Sequence, residues 1–358
     1  MNENTQKLHQ AGVSLWLDNI TRGMLKNGKL ENYIQELSIT GLTSNPTIFD
    51  NAIAKTDEYD DAIQQKVKGG KSGESLFFDL AIEDLSQAAD LFKPVHDLTN
   101  GLDGFVSLEV SPLLAYDTDA TIQAAIKLHQ MANRPNLFIK IPGTPQGLPA
   151  IEQAIYAGVP VNVTLLFSAE QYLAAAQAYM RGIERRIEAG LNPDVRSVAS
   201  IFISRWDKAT TGKVSSDIQN TLGIAVAQRT NQVYRDLLAS EQMMCLMNLG
   251  AQPQRLLWAS TGTKDPKASD ILYIRSLVSP YTINTMPEET LMAFADHGEI
   301  EDDLSPERNT SDQVLAEFKK AGIDYFQLAE KLQKDGAEAF VNSWNNLLTT
   351  IETKSSKS

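Results

Sequence analysis

The chain has 358 residues, 42% of them apolar, and a formal net charge of −13. That is enough apolar material for a sizeable core and too much for a disordered chain, while the acidic balance argues against nucleic acid or an anionic membrane as partner, both of which favour basic patches. No apolar run approaches the ~20 residues of a membrane span, and Met1 to Gln10 lacks the basic-then-apolar layout of a signal peptide; Cys245 is the only cysteine, so no internal disulfide can form and a cytoplasmic location is expected.

In chain order, residues 13–18 read as a strand with Asp18 at its C-terminal end, and a helical segment follows through Gly23 to Leu37. Residues 39–49 read as a short strand running into a polar turn, in which Asn45, preceding Pro46, is biased to extended backbone. Helical pattern covers 57–67 and 74–92, broken at Gly69-Gly70. Gly70-Lys71-Ser72 is similar to the end of a phosphate-binding loop. Gln65 stands where that loop needs a glycine and no strand precedes it, so the segment reads as a flexible turn. Residues 104–110 form the next strand, closed by Glu109 on the face shared with Phe105 and Ser107. Asp117 or Thr118 caps a helix to about Ala132, the strand 137–141 carries Lys140, and a short helix covers Gln153 to Tyr156. The strand 159–165 bears Asn162 and Thr164; Ser168 with Gln171 makes a capping box for a helix that stops at Gly190. Residues 196–204 are a strand ending at Ser204, 217–249 are helical, 255–260 are a strand ending at Ser260, and 261–265 are a loop containing Lys264. A short helix at 269–276 precedes the last strand, 281–286. Beyond Pro287 the chain reads helical apart from a loop near 298–310, and it ends in a polar tail, 354–358, expected to fray.

Eight short strands separated by helices predict parallel strands with right-handed crossovers. Eight such units suggest a (β/α)₈ TIM barrel, for which about 250 residues suffice. The surplus fits additional helices around 57–92 and a C-terminal helical extension at about 303–350, all within a single domain, 1–358. A doubly wound open sheet is the alternative, but the Gly-rich dinucleotide loop it usually carries after its first strand is missing.

The stretch Leu137-Phe138-Ile139-Lys140-Ile141-Pro142 puts a lysine inside an apolar strand, on the face of Phe138 and Pro142. A desolvated ammonium is costly, so such a lysine tends to be paired or to lose its proton. Once neutral it is a nucleophile that forms Schiff bases with carbonyls; the plainer alternative is an ion-paired or snorkelling lysine at a strand end. Asp18, Asn45, Glu109, Asn162, Thr164, Ser204 and Ser260 also sit at or near strand C-termini, the rim where a barrel builds its active site. Alternation places Asp18 with Trp16, Thr164 with Asn162, and Ser260 with Trp258 on shared faces. Each has a bland reading as well: Asp18 and Ser204 as helix N-caps, Asn45 as an Asx-turn, Glu109 as a solvated acid, Arg205 and Lys264 as surface charges. None of the four histidines (His9, His96, His129, His297) ends a strand, and neither a metal-spaced cluster nor a nucleophile elbow occurs. Imine chemistry without metal or other cofactor is what remains.

Gly41-Leu42-Thr43-Ser44-Asn45-Pro46-Thr47-Ile48-Phe49 resembles the first signature of transaldolases, and Phe138-Ile139-Lys140-Ile141-Pro142-Gly143-Thr144-Pro145-Gln146-Gly147-Leu148 resembles the second. Asp18, Glu109, Asn162-Val163-Thr164 and Ser204 fall in matching order, and the likeness, closest to the longer bacterial type, covers essentially the whole chain. It implies a pentose-phosphate-pathway transferase in which Lys140 forms the imine, Asp18 is acid/base in C–C cleavage, and Glu109 with Thr164 holds a catalytic water. Asn45, Asn162 and Ser204 would bind donor hydroxyls or the carbinolamine. Many relatives bind phosphate through arginines in Ser-Phe-Arg and Gly-Arg contexts; here the loops read Ser204-Arg205-Trp206-Asp207 and Ser260-Thr261-Gly262-Thr263-Lys264, which makes Arg205, Ser260 and Lys264 the candidates. The expected partners are small-molecule sugar phosphates, with the protein a monomer or homodimer. A fructose 6-phosphate aldolase and a non-catalytic sugar-phosphate-binding barrel are the rival readings.

Overall fold

The computed structural model describes residues 1–300 and 303–356. Eight parallel strands run in chain order: β1 (Val13–Leu17), β2 (Ile39–Leu42), β3 (Val106–Glu109), β4 (Leu137–Pro142), β5 (Val161–Leu166), β6 (Ser197–Phe202), β7 (Arg255–Ala259) and β8 (Thr282–Met286). β8 pairs back to β1, so the sheet closes and has no edge. The fold is a (β/α)₈ TIM barrel with additional helices; an open doubly wound sheet is excluded by that closing pair.

Alternation along each strand explains why these short segments are almost wholly apolar. Leu15, Leu17, Val106, Leu108, Ile139, Ile141, Val161 and Val163 pack outward against the helices. Trp16, Phe105, Phe138, Val198, Leu257 and Ile283 fill the barrel's interior. Phe105 and Phe138 stack at 4.2 Å between centroids. Gly41 is required by this interior: a Cβ there would lie 2.4 Å from the Trp16 indole.

Between β2 and β3 the chain inserts three helices, Pro46–Lys55, Asp60–Lys68 and Gly73–Leu98. After β8 come Glu288–His297, Ser311–Lys320 and Tyr325–Ser355. The last of these packs along all three inserted helices, with Trp344 set edge-on to Phe77 at 5.0 Å. The two additions therefore brace one another across the barrel's flank. Among the described residues no helix is long and apolar enough to cross a membrane.

Several local expectations need correction. The segment after Asn45 is a helix: Pro46 occupies its first position, where a missing N–H costs nothing, and Asn45 Oδ1 caps it by accepting from Ile48 N at 3.1 Å. An unforeseen helix, Glu3–Gln10, opens the chain under an Asn2 cap. The region 217–249 divides into Leu222–Leu238 and Glu241–Asn248, with Ser240 capping the second. β6 ends at Phe202, so Ser204 opens the helix Ser204–Thr210 rather than closing a strand. Fraying does not begin at Lys354: the helix runs through Ser355, and Lys354 Nζ pairs with Asp60 and donates to Thr56 O. Lys357 and Ser358 of the expected tail, and residues 301–302 of the expected loop, lie outside the described residues.

Candidate active site

Glu109 and Lys140 end up side by side because β3 and β4 pair with Glu109 opposite Lys140, both on the inward face above the Phe105–Phe138 stack. Lys140 Nζ lies 3.3 Å from Glu109 Oε2 and donates to Ser44 O at 3.0 Å. Both side chains are almost fully buried, Lys140 at 5% and Glu109 at 4% exposure. Burial lifts the Glu109 carboxyl above its ordinary range; the Lys140 ammonium opposes that, while the charge of Asp18 adds to it. Asp18 sits at the end of β1, its backbone N–H donating to Met286 O at 2.8 Å. Its carboxyl is also raised by burial, against the pull of Lys140 and of a hydrogen bond from Thr43 Oγ1 at 2.7 Å. Thr43 in turn meets Thr285 Oγ1 at 2.6 Å, so a hydroxyl relay fixes the carboxylate from behind.

A cavity of about 140 Å³ opens over these groups, lined by Asp18, Asn45, Lys140, Thr164, Arg205, Ser260 and Lys264 among the residues singled out in the sequence. Two buried side-chain atoms have no hydrogen-bond partner: Thr164 Oγ1, whose residue lines the cavity, and Glu109 Oε1, beside Lys140. Arg205 leaves the end of β6 and holds its guanidinium carbon 5.1 Å from the Phe202 ring centroid and 5.8 Å from that of Phe340. Burial lowers its pKa, with Glu109 and Asp335 acting in the opposite sense. Lys264 is exposed at the rim.

Strand alternation holds at Asn162, which shares the inward face with Thr164, and fails at Ser260. Asn162 lies beneath the cavity with both amide ends engaged, Nδ2 donating to Ser107 Oγ at 3.1 Å and Oδ1 accepting from Ser200 Oγ at 2.7 Å. Ser260 does not share a face with Trp258. Trp258 packs outward, and Ser260, past the strand's end with φ of 55°, turns back toward the cavity. Ser204 shares a 2.9 Å hydrogen bond with Ser260 Oγ and lines a neighbouring cavity of about 390 Å³, which Lys264 also borders. A larger hollow of about 450 Å³ lies outside the barrel between the helices Gly73–Leu98 and Thr118–Ala132, away from Lys140 and both carboxylates. Among the described residues, no group of three or more His, Cys, Asp or Glu side chains converges in a way that could hold a metal ion.

The model of one protein family, described as Transaldolase/Fructose-6-phosphate aldolase, matches residues 15–351. The chain belongs to the transaldolase family. A transaldolase of Frankia alni is 42% identical over 98% of this chain and 97% of its own length. One of Kocuria rhizophila is 41% identical, covering 98% of each chain, and one of Trichodesmium erythraeum is 38% identical over 98% of this chain and 97% of its own. The protein is thus an enzyme, a transferase. Four lining or flanking residues of this transaldolase barrel escaped the sequence: Thr43, Thr285, Phe340 and Ser200. Thr43 lies inside the first signature and Thr285 near the end of β8, so strand-end position was the available signal. Phe340 sits in a helix whose apolar spacing looks like that of any packed helix.

Proposed function

We propose that the chain is a transaldolase of the pentose phosphate pathway. It moves a dihydroxyacetone unit from sedoheptulose 7-phosphate to glyceraldehyde 3-phosphate, giving erythrose 4-phosphate and fructose 6-phosphate. The observation that carries this reading is the Lys140 amine, buried beneath the cavity with Glu109 at 3.3 Å. Glu109 is the group within reach to take the ammonium's proton and leave a nucleophile. Neutral Lys140 then adds to the donor's ketone carbon, and the carbinolamine loses water to give the imine. Glu109 Oε1 and Thr164 Oγ1, the two orphaned atoms, are suited to hold the water that shuttles protons through this step. Asp18 removes the proton of the hydroxyl next to the scissile C–C bond. The bond's electrons flow into the imine as an enamine, the first aldehyde leaves, and the steps run backward on the acceptor. The imine is itself the electron sink, so the scheme calls on no cofactor.

Asn45 lines the cavity with its carbonyl oxygen used as a helix cap, which leaves its amide nitrogen for a donor hydroxyl. Arg205, with Ser260 and Lys264, forms the cationic end suited to phosphate. Asn162 and Ser204 contribute indirectly, through Ser107, Ser200 and Ser260. The reading extends to a cytoplasmic monomer or homodimer acting on sugar phosphates, with neither nucleic acid nor membrane as partner. Borohydride reduction in the presence of fructose 6-phosphate, followed by peptide mass mapping, tests it: the adduct is expected on Lys140, and an adduct on another lysine overturns the assignment. A coupled assay separates transfer to an acceptor aldehyde from the aldolase alternative, which would release free dihydroxyacetone.

A further inference from the structure

The helix Tyr325–Ser355 does more than brace the barrel. Gln333, Gly336 and Phe340 occupy one of its faces at helical spacing, and that face lies on the barrel's mouth. Gln333 Nε2 donates to Gly143 O and to Leu165 O, both at 3.0 Å. Both partners are carbonyl oxygens, so the amide must present its NH₂ to them, one hydrogen to each. A methyl group at Gly336 would come within 3.0 Å of Leu165 Cδ2 and 3.1 Å of Arg205 Nη1, and glycine lets the helix settle that close.

The two carbonyls bracket Thr164. Gly143 N donates to Thr164 O at 2.7 Å, and Leu165 is the next residue along. Leu165 has φ of 58°, a left-handed conformation that is strained for a branched side chain. The strain belongs to a bulge: between Val163 and Leu166 β5 spends three residues where β6 spends two, from Ala199 to Ile201. Bulges re-aim side chains, and this one sits where Thr164 lines the cavity and its Oγ1 is left buried without a partner. A strained bulge persists only when its surroundings over-determine it. Here Gln333 ties the carbonyl of the bulge residue Leu165 to the loop that follows the Lys140 strand.

We infer that Gln333 is a positioning residue for the imine-forming step, locking the bulge that aims the Thr164 hydroxyl. The inference rests on the proposed role of Thr164 in holding the proton-shuttling water, and one experiment separates the two. Gln333→Met keeps the side chain's length and removes both donors. Single-turnover borohydride trapping with fructose 6-phosphate should show imine formation slowed by about tenfold or more, since small misplacements of catalytic groups are that costly. KM for that donor should stay within about twofold, and the final adduct yield and thermal midpoint should be close to those of the parent. The double variant with Thr164→Val should be no slower than Thr164→Val alone, because a residue acting through another adds nothing once that other is gone.

Parental trapping by Gln333→Met beside slow trapping by Thr164→Val overturns the inference and leaves the role of Thr164 standing. So does a double variant slowed by the full product of both factors. Parental trapping by Thr164→Val overturns both together. Gln333→Glu provides a second variant should the methionine form fold poorly. Its carboxyl donates one hydrogen bond when protonated and none when ionised, so its trapping rate relative to the parent should rise as pH falls; a pH-independent ratio counts against the inference.

Discussion

The two ends of this barrel each bury a cation beside a carboxylate, and they treat the pair in opposite ways. At the N-terminal end Arg255, 5% exposed, spends every nitrogen. Nη1 donates to Leu102 O at 2.9 Å, Nη2 to Ser14 Oγ at 2.8 Å and Thr282 O at 3.2 Å, and Nε reaches Tyr281 O at 3.5 Å. Asp103, 4.0 Å away, accepts from Trp16 Nε1 at 2.7 Å and Gly104 N at 3.1 Å. At the C-terminal end Lys140 and Glu109 are as deeply buried, yet Glu109 Oε1 and Thr164 Oγ1 remain unpartnered. Burial and charge are common to both ends. On the proposed function, what separates the structural pair from the reactive one is the hydrogen-bonding capacity left over, because only an uncommitted group can bond a substrate or a water in a transition state.

The comparison breaks most severely at Lys140. Lys140→Ala should lower kcat on the order of 10⁴-fold or more, because the covalent path disappears with the nucleophile. Circular dichroism should still report a folded barrel. More than trace transfer activity would place the reactive amine elsewhere.

Next come the two carboxylates of the mouth. Glu109→Gln should slow imine formation in single-turnover trapping by ~10²–10⁴-fold, the usual worth of general acid–base help. Asp18→Asn should still trap the donor adduct while failing to release the first aldehyde product. A Glu109→Gln variant that traps at the parental rate and then stalls would exchange the two roles.

The opposite end should answer in stability and not in rate. Arg255→Met leaves Asp103 without its cation and removes the hydrogen-bonded tie among β1, β7 and β8, at a cost of roughly 3–5 kcal/mol for breaking a buried pair. Urea denaturation measures that loss, and kcat per folded molecule should be unchanged. A selective fall in kcat would join the two ends functionally and undo the contrast.

Arg205 and Lys264 sharpen the comparison within the mouth itself. Arg205 is half-buried between Phe202 and Phe340, whereas Lys264 stands at the rim. Replacing Arg205 by Met should raise KM for phosphorylated substrates by about 10–100-fold, as expected for losing a charge-assisted hydrogen bond. Lys264→Met should do so by less. Unphosphorylated analogues should be nearly unaffected by either; equal losses for both substrate types would dismiss the phosphate role.

The smallest effect is a pH dependence. Burial raises the carboxyls of Asp18 and Glu109 in the folded state, and Lys140 restrains both. A carboxyl with a raised folded-state pKa contributes stability that is present in acid and lost as pH rises through that pKa. Without the ammonium the two should rise further. Lys140→Ala should therefore be more stable relative to the parent at pH 5 than at pH 8, by on the order of 1 kcal/mol. Denaturant midpoints at the two pH values give the difference, and a constant offset would mean the ammonium does not restrain these carboxyls.

The amino-acid sequence by itself determined the eight strands, because each is a short, largely apolar run set between helical segments, and composition and length can be read locally. It also marked Asp18, Glu109, Lys140 and Thr164, each a polar residue against an apolar strand end. It named the C-terminal rim as the active end, but not what each buried cation would meet there or at the opposite end. Arg255 at a strand start and Lys140 near a strand end are both single cations in apolar runs, and only closure decides which one meets carbonyls and which one meets a cavity. Ser260 was assigned to the face of Trp258 because alternation assumes extended backbone, and a left-handed φ of 55° ends that assumption. Gln333 and Phe340 were out of reach for a different reason. Gln333 is 190 residues from Gly143 and 168 from Leu165, and helical periodicity says which face of a helix is buried without saying against what. That choice belongs to packing: the helices inserted after β2 give the C-terminal helix a surface to lie on, and lying there brings its Gln333–Phe340 face onto the mouth.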